Sequence, residues 1–113
     1  VMFHSHGNVM SLFEDFVDVG FDSIDPLDAY DGMDFKFIKE KYGKKITLKG
    51  GISCTIGQMK KMELFEHIKE IVNIGGNERF ILSGAGGVPP EMSLTNFNAY
   101  RDFIYRARRG DLK

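Results

Sequence analysis

Apolar positions fall into short runs that alternate with longer stripes of helical period. Val1–Phe3 is a short apolar run ahead of polar His4. From Val9 to Val19, Leu12, Phe13, Phe16 and Val17 recur at the spacing that places them on one face of a helix. Phe21–Ile24 reads as a second strand, broken by Asp25-Pro26. Phe35, Ile38 and Tyr42 share a face of a helix over Phe35–Tyr42, with Asp34 at its N-cap position. Ile46–Leu48 predicts a third strand, ended by Gly50-Gly51. Gln58–Ile74 predicts the longest helix, striped by Leu64, Phe65, Ile68, Ile71 and Val72. Arg79–Leu82 predicts a fourth strand, followed by a Gly- and Pro-rich loop over Ser83–Pro90. Ser93 caps a last helix carrying Leu94, Phe97, Ile104 and Tyr105. Gly20, Gly43, Gly75 and Gly110 each stand where a helix wants a left-handed residue to end it.

Strands alternating with helices imply a parallel sheet with right-handed crossovers. A full (β/α)8 barrel takes roughly 250 residues. Four units in 113 residues are half of one. The predicted fold is therefore α/β, a parallel (βα)4 half of a TIM barrel, with residues 1–113 as a single domain. A small open sheet is the alternative, but no G-x-G-x-x-G follows a strand to mark a dinucleotide site. The chain opens inside a strand, which leads us to expect a piece of a longer protein.

Hydrophobic residues make up 42% and charged residues 27%, a globular mix that argues against disorder. Fifteen basic residues against sixteen acidic give a net charge of −1. That balance argues against nucleic acid or an anionic membrane as partner. Cys54 is the single cysteine, which excludes an internal disulfide framework and fits a reducing, cytoplasmic setting. No apolar run approaches the ~18 residues of a membrane helix.

Ligands of such folds bind at the carboxyl ends of the strands. His4-Ser5-His6-Gly7-Asn8 follows the first strand. Residues i and i+2 of an extended chain point to one side, so His4 and His6 can converge on a metal ion such as zinc. Alternatively, one caps the next helix and the other is a surface residue. Asp25 and Asp28 follow the second strand and suit acid–base or substrate-binding work, though Asp before Pro is also turn chemistry. Lys49, Gly50, Gly51, Ser53 and Cys54 follow the third strand. Cys54 is a candidate thiolate ligand or a packing residue. Gly84, Gly86 and Gly87 offer backbone N–H groups to an anion, or simply make a tight turn. His67, amid Glu66 and Lys69 in the long helix, is expected in solvent. Lys36, Lys39, Lys41, Lys44 and Lys45 read as a solvated face, and Arg101, Arg106, Arg108 and Arg109 give the last helix a basic end.

Three segments carry a resemblance. Phe3-His4-Ser5-His6-Gly7-Asn8, Lys49-Gly50-Gly51-Ile52-Ser53 and Ile81-Leu82-Ser83-Gly84-Ala85-Gly86-Gly87-Val88-Pro89-Pro90-Glu91 resemble, in order and interval, the C-terminal half of the uroporphyrinogen decarboxylase superfamily barrel. That superfamily contains cofactor-free decarboxylases of heme synthesis. It also contains zinc methyltransferases that pass a methyl group from a corrinoid protein to a thiol. The first segment is similar to the methyltransferase branch, with His4 at a ligand position and His6 where that branch has Cys. Gly86 stands where its third ligand, a Cys, is expected, and Cys54 is the candidate substitute. The candidate catalytic residues are then His4 and His6 from the resemblance and Asp25 from its strand end, and the candidate zinc ligands are His4 and His6 with Cys54 if its strand end faces the same pocket. The substrate-binding candidates are Asn8, Gly50, Ser83, Gly84 and Gly86 within those segments, with Asp28 after the second strand. The implied function is corrinoid-linked methyl transfer. Metal-free decarboxylation of uroporphyrinogen and a non-catalytic half-barrel are the alternatives. A corrinoid protein or a tetrapyrrole is the implied partner. Open edge strands further predict self-association into a two-fold dimer.

Overall fold

The structure is a computed structural model that describes residues 1–112. Four parallel strands alternate with four helices, as half of a TIM barrel does. The strands are β1 (Met2–His4), β2 (Ser23–Asp25), β3 (Thr47–Ile52) and β4 (Phe80–Gly84). The helices are α1 (Phe13–Val19), α2 (Phe35–Tyr42), α3 (Lys61–Gly75) and α4 (Leu94–Arg108). Strand order in the sheet is chain order, β1-β2-β3-β4.

The pleat sends alternate side chains to opposite faces. Phe3, Ile24 and Leu48, in register on β1, β2 and β3, face the helices. There they meet Phe13, Phe35, Ile38 and Tyr42 in one core. The Phe3 ring lies 4.4 Å from Phe16 and 5.2 Å from Phe21, which seats α1 over β1. Ile52 and Leu82 begin a second core with Leu64, Ile68 and Phe103 between α3 and α4. The other face of the sheet has no covering layer among the described residues. Met2, His4 and Ile81 stand exposed on it, as the inner wall of half a barrel would.

Helix α2 starts where its cap predicts, with Asp34 Oδ1 accepting from Phe37 N–H at 3.0 Å. Ser93 Oγ accepts from Asn96 N–H in the same way at 3.1 Å. Other boundaries differ from expectation. The stretch expected as one helix from Val9 begins as a 3-10 turn over Met10–Leu12, because Asn8 Oδ1 takes the Met10 N–H. The expected start of the long helix is also a 3-10 turn, Cys54–Gln58, and α3 begins at Lys61. Gly50-Gly51 does not end β3. The strand runs through both residues, and the Gly51 N–H donates to Pro26 O at 3.1 Å. A Cβ on Gly50 would overlap that carbonyl, and its φ of +127° disfavours any L side chain. Gly43 is right-handed and Gly75 lies inside α3, where the Phe80 ring leaves no room for a Cβ. No helix among the described residues is long and apolar enough to cross a membrane.

Candidate functional site

The site grows out of strand register. His4 pairs with Asp25 across β1 and β2. Ile24 pairs with Leu48, so Asp25 and Lys49 are the next rung along. One row across three strands therefore carries an imidazole, a carboxylate and an ammonium, all on the face away from the helices. His4 Nδ1–H donates to Asp25 Oδ1 at 2.9 Å, and Lys49 Nζ lies 3.3 Å from Asp25 Oδ2. The Asp25 side chain is 12% exposed and that of His4 60%, so the carboxylate is held in the sheet while the imidazole reaches solvent. The bond at Nδ1 leaves Nε2 for a bound molecule. The Lys49 ammonium is ion-paired with Asp25 and also donates to Met2 Sδ at 4.0 Å.

His6 stands beside this row. Its ring centroid is 5.2 Å from that of His4, edge to face, and its Nδ1 is 3.7 Å from Asp31 Oδ2. The structure thus brings His4, His6 and Asp25 together. A zinc centre with three protein donors needs one more ligand than this imidazole pair supplies. Among the described residues no three His, Cys, Asp or Glu side chains form a group able to hold a metal ion. Cys54 does not join His4 and His6 as a third ligand. Its backbone N–H donates to Asp28 Oδ2 at 3.0 Å. Its thiol is pushed up by its hydrogen bond with Asp28, then by burial and by the Asp28 charge, so it stays a thiol at neutral pH. The residues present do not fit the implied zinc.

Asp28 is a latch rather than a ligand-facing group. It is 1% exposed, and its oxygens accept from Tyr30 N–H and Cys54 N–H, both at 3.0 Å. Burial pushes its carboxyl up, but the bonds from Cys54, Tyr30 and Ser53 outweigh it and hold the group below the ordinary range. The carboxylate so held ties the loop after β2 to the loop after β3. His67 tightens the same loop from the helix side. Its Nε2 accepts from Ser53 N–H at 3.0 Å, so the imidazole is a neutral acceptor and not the solvated residue expected. Burial pushes it down, against the opposing pull of Glu70 and Asp28.

The remaining sequence candidates do not converge on the row. Asn8 caps the turn at Met10 and lies against Gly32. Gly50 is buried under the Pro26 carbonyl, its place fixed by packing. Ser83 and Gly84 border a groove beside α4. Their strand pairs with β3, with Ser83 opposite Gly51, two residues beyond Lys49. Gly86 sits in an open loop, where an added Cβ would meet nothing within 4 Å. Lys49 joins the row although its position after the third strand gave it no role of its own. Its signal is a charged residue in line after the apolar strand Ile46-Thr47-Leu48, at the same offset as His4 and Asp25.

Fold and site together define an α/β half-barrel with its polar chemistry on the inner wall at the carboxyl ends of the strands. The sequence profile of the uroporphyrinogen decarboxylase (URO-D) family matches residues 1–107. The chain belongs to that family. No curated protein matches it.

Proposed function

We propose that this chain supplies the acid–base half of a metal-free site that removes carboxylate groups from a tetrapyrrole. One observation carries the reading: Asp25 bridges His4 and Lys49 on a single row of the inner wall. Decarboxylation needs a proton and a place for an anion, and no oxidant. The bond from the methylene carbon to the carboxylate breaks, its electron pair stays on that carbon, and CO2 leaves. A proton from His4 Nε2–H forms the new C–H bond. Asp25 fixes the imidazole by its Nδ1 and so aims the other nitrogen outward. The partly exposed Lys49 ammonium suits a substrate carboxylate. The methyl-transfer reading rests on zinc, and the paired imidazoles of His4 and His6 are its one support.

The test is titration of the chain with uroporphyrin, followed by fluorescence, with and without chelator, alongside zinc analysis after dialysis. The expected result is saturable binding indifferent to chelator and weakened roughly tenfold by Lys49→Met, about 1.4 kcal/mol. Absence of saturable binding overturns the reading. One zinc per chain, lost in His4→Ala, would replace it with methyl transfer from a corrinoid protein.

A further inference from the structure

We propose that His67 is a positioning residue for the row on the inner wall, and that a proton on its Nε2 unfastens the loop after β3 and, with it, Lys49 and Asp25. The inference rests on the tetrapyrrole reading only for what the row binds. The unfastening itself concerns this chain alone.

Two members of the row run straight into tied loops. Ser53 follows Lys49 by four residues, and Asp28 follows Asp25 by three. Two bonds join these stretches: Gly51 N–H to Pro26 O at 3.1 Å, and Cys54 N–H to Asp28 Oδ2 at 3.0 Å. Between Asp25 and Asp28, Leu27 sits at φ +56° and is buried. A branched residue keeps that left-handed backbone only where its surroundings hold it there. The ties on either side of Leu27 do so.

Ser53 is where α3 takes hold of these loops. Its Oγ accepts from Thr55 N–H at 3.2 Å, and its own N–H donates to His67 Nε2 at 3.0 Å. Ser53 is buried, so its N–H depends on that acceptor. An imidazole accepts at Nε2 only while that nitrogen carries no proton. Once it is protonated, two donors face each other across 3.0 Å and one must move away. Leu64, Ile68 and Ile71 bury α3 in the two cores, so the short 3-10 turn Cys54–Gln58 is the part that yields.

The charges near the ring set the direction. Glu70 on the same helix and Asp28 from the loop after β2 both favour the proton, and burial opposes it and prevails. The 3-10 turn carries no charged side chain, and Cys54 within it stays a neutral thiol. The tether is therefore intact at neutral pH and opens below the ordinary imidazole value of 6.5. The imidazolium then also draws on the Asp28 carboxylate that the Cys54 N–H uses, so the second tie weakens with the first.

Amide hydrogen exchange read by NMR tests the tether without a ligand. After correction for the intrinsic pH dependence of exchange, protection at Ser53 and Cys54 should fall about tenfold or more between pH 7.5 and pH 5.5. Leu48 N–H, bonded to Arg79 O within the sheet, should keep its protection. His67→Gln accepts but does not titrate, and should stay protected at both pH values. His67→Phe keeps a ring without an acceptor, and should be unprotected at both. The wild-type series decides alone if a variant fails to fold. Uroporphyrin titration then reads the row. Wild-type affinity relative to His67→Gln should drop about tenfold over the same interval, a comparison that cancels titration of the ligand and of His4. Equal protection of Ser53 at the two pH values, a fall shared by Leu48, or a fall that persists in folded His67→Gln overturns the proposal. Saturable binding with unchanged relative affinity overturns the positioning role. No saturable binding at any pH sinks the tetrapyrrole reading instead, and exchange then decides the tether by itself.

Discussion

Replacing Asp28 by Ala removes two acceptors at once. The Tyr30 N–H loses the cap of its 3-10 turn, worth about 1 kcal/mol. The Cys54 N–H loses a charged acceptor in a partly buried site, at about 1–2 kcal/mol. The two losses lie at separate donors, so Asp28→Ala is expected to cost about 2–3 kcal/mol of a total that runs near 5–15 kcal/mol for such domains. On the usual scaling the melting temperature falls by roughly 10–20 °C. Asp28→Asn keeps one carbonyl acceptor and should lose about half as much. Urea unfolding followed by circular dichroism reads both. The carboxyl is held below its ordinary range, so its contribution carries a pH signature. The unfolded chain binds the proton first as pH drops below about 4, and stability falls from there downward. The wild type should show that acid loss and Asp28→Ala should not. An Asp28→Ala chain within about 0.5 kcal/mol of wild type would refute the latch.

Two further substitutions probe the loop ties. His67 is held below the ordinary imidazole range, so between about pH 6.5 and its lower folded value the unfolded chain carries more protons. Stability should therefore drop as pH falls from about 7 to about 5, and His67→Gln, which keeps an acceptor but does not titrate, should flatten that slope. An unchanged slope would refute it. Gly50→Ala should cost more than about 3 kcal/mol, because the new methyl overlaps the Pro26 carbonyl. Gly86→Ala, with nothing nearby, should stay within about 0.5 kcal/mol and serves as its control in the same unfolding assay.

The alternation of strand and helix was legible because every βα unit carries its own apolar period and its own stop. Asp34 and Ser93 act as the caps their positions suggested. Gly50-Gly51 misled because glycine has two uses. It ends elements, and it also admits a close carbonyl, here that of Pro26. The His4, His6 and Asp25 cluster was legible because neighbouring strand ends share a rim. The roles of Asp28, Cys54 and His67 were not, because each is decided by a partner more than a dozen residues away. Spacing cannot show whether a carboxylate faces a ligand or a backbone N–H of the next loop. The share of Lys49 in the row follows only from pairing register, which no single strand reveals.

Sheet order matching chain order has a kinetic consequence. Each strand pairs with the one made just before it, so loop closure spans a single βα unit at every step. These four strands can therefore be added to the sheet one after another in chain order. No strand among these four waits for a distant partner, and the core under β1, β2 and β3 fills before the one between α3 and α4.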